Sequence, residues 1–322
     1  MKKFLYSFLF FIAGVTIFWI VYRDFDIKEL NRALEDIRYE WVIVSICLGL
    51  VSHLFRALRW RMLINTMEYK PGITNLFLSV IVLYFTNLII PRGGEVSRCM
   101  VISKYENVPV MKLLGTVFIE RMTDLFTFFL IFLIVLFFQF SFFETIFSYP
   151  EFKLDFSSFH IKLFPLLLII MAIVAIIFIM TRFRLFKRIY LKLIKVKEDF
   201  LEGISVIMHM RGKTKYMIFT VIIFLLWLLM YYTIFFAYPP TNKISFMVAV
   251  LTYTFSTLAF LLPIQAGIGA WHFIVINCLF YFGINKETGM IFAIVAHTFT
   301  SLIFLIFGPI ALALLPLINN RK

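Results

Sequence analysis

The chain has 322 residues, of which 62% are hydrophobic and only 15% charged, with 42 Phe and a mean hydropathy of +0.96. No water-soluble domain of that length carries so much apolar surface, so the composition excludes one and points to an all-α polytopic membrane protein. The formal charge of +13 suits a cytoplasmic face rather than a nucleic-acid site, and Cys47, Cys99 and Cys278, all in or beside apolar segments, read as neither a disulfide framework nor a metal cluster.

Runs long enough to cross a bilayer, about 20 residues each, fall at 4–22, 41–58, 73–90, 113–140, 161–181, 216–238, 244–262, 268–282 and 288–317. The first follows Met1-Lys2-Lys3 and has no small-residue cleavage site after it, so it reads as a retained helix rather than a signal peptide. Segment 23–40 has four Lys/Arg against six acids and reads as outside. Segment 59–72 carries Arg59, Arg61 and Lys70, with Arg56 just before it, and reads as inside. The acids of 141–160 put that loop outside, and the ten Lys/Arg against three acids of 182–215 put that segment inside. Apolar residues recur among its lysines, so an amphipathic helix on the inner leaflet and a solvated connector both fit.

The stretch NLIIPRGGEVSRC, 87–99, decides the topology of the first half. Segment 73–90 starts inside and 113–140 ends outside, so the chain must return to the inner face between Ile90 and Leu113. Residues 95–110 are too short and too polar for a full span. A hairpin that enters from inside, breaks at Pro91, Gly93 and Gly94 and returns as a half-helix satisfies these conditions, because proline ends the helix and glycine permits the reversal. Backbone broken at such depth must be enclosed by protein or line a watery cavity.

The stretch FSTLAFLLPIQAGIGAWHF, 255–273, repeats the device with reversed flanks, breaking at Pro263, Gly267 and Gly269. Each half then reads as two helices, a re-entrant broken hairpin and a long helix, in opposite orientations: repeat one at 1–140, an outer loop at 141–160 and repeat two at 161–322, all in one transmembrane domain. Paired interruptions of this kind point to a midplane site in transporters with inverted repeats.

The remaining signal is charge. In GTVFIERMTDLF, 115–126, Glu120, Arg121 and Asp124 stand well inside an apolar span. A charge near the centre of a membrane helix costs about 2.5–3.5 kcal/mol on insertion scales, so three together need a reason. Glu120 and Asp124 share a helix face, and Arg121 is within pairing reach of Asp124. Glu95 and Arg98 repeat the same i, i+3 relation in the hairpin. Two readings stand. In one, Arg98 and Arg121 receive an anionic headgroup, while Glu95, Glu120 and Asp124 hold them or carry protons, helped by helix starts near Gly94 and Gly267. In the other, these are self-contained ion pairs that hold helices together.

Pro91-x-Gly-Gly94-Glu95-x-x-Arg98, Glu120-Arg121-x-x-Asp124 and Pro263-x-x-x-Gly267-x-Gly269 together resemble the lysylphosphatidylglycerol synthase transmembrane family over nearly the whole chain. The resemblance implies a flippase-like, lipid-translocating membrane domain with two intramembrane hairpins. The third motif of that family usually reads Pro-x-Pro-Gly-Gly-x-Gly-x-x-Glu; here Gln265 and Ala266 replace its second proline and first glycine, and His272 stands where the acid belongs. The family's last helix usually carries an arginine, for which this chain offers His297. The aminoacyl-transferring domain of longer relatives is not in this sequence, so lysyl transfer to lipid is not expected.

His272 and His297 could titrate near neutrality and couple protons, or stay neutral and hydrogen-bonded to a neighbouring helix. No metal-ligand spacing, no P-loop and no serine-nucleophile motif is present, so no metal or other cofactor is expected. The best reading is a cell-membrane flippase or transporter with both termini cytoplasmic and with anionic or lipid-linked headgroups as partners. The alternatives are a lipid-phosphate-processing enzyme and a non-transporting partner of a glycosyltransferase or lipid synthase; a homodimer is compatible with each.

Overall fold

A computed structural model describes residues 2–23, 25–90, 92–138, 210–261 and 264–319. Pro91, Pro263, the 141–160 loop, the 161–181 span and the basic stretch 182–209 lie outside the described residues. The chain divides into two compact units, 1–127 with 211–322, and 128–210. In the second, the described part is the end of one long helix, where Phe128 and Phe132 pack at 6.4 Å.

All regular structure among the described residues is helical, which is what a chain in lipid requires, since a helix satisfies its own backbone groups. Helices α1 Lys2–Tyr22, α2 Ile27–Glu35, α3 Tyr39–Asn65, α4 Ile73–Ile89, α5 Gly94–Glu106 and α6 Val110–Phe138 form the first half. Helices α7 Lys213–Ala237, α8 Phe246–Thr257, α9 Ala270–Tyr281 and α10 Lys286–Asn319 follow. Helices α3, α6, α7 and α10 are each long and apolar enough to cross a membrane. The protein is thus an all-α, multi-pass membrane protein.

Two elements differ from expectation. The polar segment 23–40 contains a short amphipathic helix, α2, started by Asp26, whose side chain accepts from the Lys28 amide at 2.8 Å; Leu30, Ala33 and Leu34 press its apolar face onto the core. Helix α3 does not stop near Leu58 but continues to Asn65. Trp60, Leu63 and Ile64 are fully buried, so their apolar surface carries the helix past the two arginines that suggested a loop.

Helices α4 and α5 fold back on each other. The Asn87 side chain accepts from the Gly94 amide at 2.9 Å, satisfying a donor at the start of α5. Gly94 is required there, because a methyl group would collide with the Leu83 carbonyl and the Asn87 side chain. At the far end, one oxygen of Glu106 accepts from the Gly72 amide at 2.9 Å and from Asn75 at 2.6 Å, so the end of α5 lies beside the start of α4. Asn107 then stops α5 in the left-handed conformation that asparagine tolerates.

Helices α8 and α9 pair similarly. Between them Ala266, Gly267 and Gly269 take φ of +48°, +69° and +82°. Gly269 also lets the chain approach α1, since a methyl group would meet the Gly14 carbonyl and the Phe18 amide.

Helices α3 and α7 run antiparallel through the centre. The Arg38 amide donates to the Ala237 carbonyl at 2.9 Å at one end, Ser45 donates to the Met230 carbonyl at 2.9 Å, and Met62 lies beside Gly212 at the other end. Ile64, Met67, Ile73, Val108 and Val110 share one cluster, so α4–α5 begins and ends at the Asn65 end of α3. Ile37, Tyr238, Ile244, Ile284 and Met290 share another, so α8–α9 begins and ends at the opposite end.

Candidate functional site

The first hairpin carries its charged residues to α3 and α6. Glu95, in the first turn of α5, pairs with Arg98 at 2.8 Å and reaches the Arg121 Nε at 3.0 Å. Arg98 also meets Glu120 at 3.0 Å. Arg121 completes the group with Asp124 at 3.4 Å and Glu120 at 3.5 Å. All five charged positions singled out in the sequence therefore meet in one network.

Two further members are Arg56 and Arg59, which loop-charge counting assigned to the inner face. Arg56 Nε lies 3.0 Å from Glu120, and its Nη1 donates to the Tyr84 hydroxyl at 2.6 Å. Arg59 reaches Asp124 at 2.6 Å and Glu120 at 3.2 Å, and donates to the Thr220 hydroxyl of α7 at 3.1 Å. Neither is a loop charge. The signal was present: three residues apart, they share a helix face, and an apolar helix continues beyond them.

Among the described residues the network holds four arginines and three carboxylates, an excess of one positive charge. Glu120 is its hub, contacted by all four guanidinium groups and fully buried. Arg98 is also fully buried and lies over the Trp60 ring at 4.3 Å, a cation–π arrangement. Its Nε and Nη1 find no hydrogen-bond partner among the described residues. Exposure rises toward one side: Asp124 is 12%, Glu95 25% and Arg121 36% exposed. The exposed edge of the network is therefore the Glu95–Arg121 pair.

His272 is not part of it. Its ring lies 4.7 Å from that of His297 and packs against Phe18, Tyr22 and Trp271. His297 Nε2 is 2.8 Å from the Ala266 carbonyl. Of the hairpin breaks, Gly93 and Gly94 set the start of α5 beside the network, while Gly267 and Gly269 belong to the imidazole group. Among the described residues no set of three or more His, Cys, Asp or Glu side chains is placed to hold a metal ion.

A multi-pass helical protein with a buried, net-positive ion network between its membrane helices defines the class. The family model described as the lysylphosphatidylglycerol synthase TM region matches residues 4–308, and the chain belongs to that family. It is 30% identical over 133 residues to a UPF0104 membrane protein of Methanocaldococcus jannaschii, a match covering 40% of this chain and 38% of that relative's length. No solved structure matches the chain.

Proposed function

We propose that the protein carries an anionic phospholipid or lipid-linked headgroup between leaflets, with the Arg/Glu/Asp network as its binding station. The observation that carries this reading is a cationic excess deep among apolar helices, open at Arg121. Every buried charge is costly in lipid, and a surplus positive charge is more costly than a neutral pairing. An anion at the exposed edge offsets it, and the start of α5 adds partial positive charge at the same place. Membership of a family named for a lipid synthase's membrane region agrees with a lipid ligand. The opposed hairpins agree with two inverted halves in a single transmembrane domain, and the hydrogen bonds of Asn319 with Asn75, at the start of α4, agree with the last helix ending on the cytoplasmic side.

Reconstitution into vesicles with headgroup-labelled anionic lipids tests the reading. Wild-type protein exchanges label between leaflets, and Arg121→Gln, which removes the surplus charge at the exposed edge, lowers the rate at least tenfold while the protein stays folded. A second reading, a non-transporting partner of a glycosyltransferase or lipid synthase, draws on the closure of Arg56, Arg59 and Arg98. Under it neither protein exchanges label. Loss of headgroup mass from the lipids would instead indicate the lipid-phosphate-processing enzyme.

A further inference from the structure

Helices α3, α5 and α6 each have one end at the Asn65 end of the bundle, in Asn65, Glu106 and Val110. An α-helix rises about 1.5 Å per residue, so depth can be counted from there. Leu113, Ile102, Trp60, Thr116 and Cys99 lie about 4–11 Å in, and all are buried. Arg59, Arg98 and Arg56 follow at about 9–14 Å, and they are buried too. Exposure begins only at the next level, about 16–17 Å in, with Glu95 and Arg121.

Trp60 forms the floor beneath the arginines. Its indole Nε1 donates to the Thr116 hydroxyl at 2.9 Å, which ties α3 to α6, and Thr116 donates in turn to the Leu113 carbonyl at 2.7 Å. The face of the same ring carries the Arg98 guanidinium of α5. One side chain thus touches all three helices that build the network. Around it Ile64, Cys99, Ile102 and Leu113 complete an apolar layer. A charged group leaving toward the Asn65 end has to cross that layer, where nothing would replace its hydration.

The other side of the network is built differently. The first hairpin turns back there, and Ile89, Ile90 and Arg92 at its tip are exposed. Glu95 and Arg121 stand next to that tip, partly exposed, with the network's surplus charge behind them. The tip points away from the Asn65 end, toward the end of the bundle that carries α2.

We infer that the anion station is entered past the tip of the first hairpin, from the α2 end, and that Trp60 is the gate that closes it toward the Asn65 end. A headgroup received at Arg121 passes to the other leaflet only when the Trp60–Thr116 contact parts. This rests on the lipid-carrier reading for the nature of the ligand, but its test uses no lipid. In protein with the three native cysteines replaced, Arg121→Cys is exposed in vesicles to a charged, membrane-impermeant thiol reagent from one side at a time. Lys70→Cys, at the Asn65 end, and Lys243→Cys, at the other, identify the sides. Arg121→Cys is expected to react at least tenfold faster from the Lys243 side. Should Arg121→Cys fail to fold, Glu95→Cys reports on the same edge.

Cys99, kept as the one thiol, reports on the layer itself. It is expected to react at least tenfold more slowly than Arg121→Cys from either side. Trp60→Ala is expected to raise its labelling from the Lys70 side at least tenfold. Should Trp60→Ala fail to fold, Thr116→Val, which removes the hydrogen bond and keeps the volume, is expected to give a smaller increase from that side. Labelling of Arg121→Cys that is equal from both sides, faster from the Lys70 side or absent from both overturns the entry route. Cys99 labelling unchanged by the gate variants overturns the role of Trp60. One-sided labelling in a protein that moves no lipid leaves the gate standing and removes only the carrier reading.

Discussion

Ala266 shows how one side chain can be at odds with its backbone. Its φ of +48° lies in the left-handed region, where a Cβ meets the following carbonyl at a cost of roughly 1–2 kcal/mol. The position is held there from two sides: its carbonyl faces His297 Nε2, and Gly267 and Gly269 continue the reversal toward α1. Ala266→Gly is therefore expected to stabilise the fold by about 1 kcal/mol, read as a higher thermal unfolding midpoint in detergent. Gly269→Ala is expected to lower that midpoint, because the new methyl group has the α1 backbone in its way.

Between elements, the strongest tie is Glu120. One carboxylate joins α6 to Arg56 and Arg59 of α3 and to Arg98 of α5, so the hairpin and both long helices share a single acceptor. Removing one partner of a buried ion pair costs about 3–5 kcal/mol, because the charges left behind remain desolvated. Glu120→Gln is expected to fall in that range in chemical unfolding. Glu95→Gln, at the exposed edge, is expected to cost much less, about 1 kcal/mol or under. Equal losses from the two substitutions would mean that Glu120 is not the hub. The same elements show what could be read in advance. Glu95/Arg98 and Arg121/Asp124 stood out because charges are rare in apolar runs and helical spacing pairs them. Arg56 and Arg59 did not, because they sit near a run's end, where an arginine equally suits a loop. The burial of Trp60, Leu63 and Ile64 settled that, and burial depends on the neighbouring helices.

At the scale of the molecule, charge is divided between the two ends of the bundle. Arg61, Lys70, Lys104, Lys112, Arg211, Lys213 and Lys215 gather at the Asn65 end of α3, with Glu68 and Glu106 as the acids among them. At the opposite end α2 and its neighbours bring Asp26, Glu29, Glu35, Asp36, Glu40 and Glu287 beside a similar number of bases. Lys and Arg in short loops are retained on the cytoplasmic side, so the first end is expected to face the cytoplasm. Cysteines introduced at Lys70 and at Lys243, labelled in intact cells and in inverted vesicles, check this: Lys243→Cys reacts from outside and Lys70→Cys only from inside.

Composition and order along the chain were enough for the class and, among the described residues, for most helix positions, including the separation of α4 from α5 and of α8 from α9, because lipid admits few ways to satisfy a backbone and each leaves an apolar run of fixed length. They also announced five of the seven charged members. Only the tertiary structure decided that these charges form one network, that Arg56 and Arg59 belong to it, and that His272 stands apart with His297. Which side chains meet depends on how helices from distant parts of the chain pack. An ion pair between α3 and α6 joins residues about sixty positions apart, a separation over which helical spacing along either element carries no information.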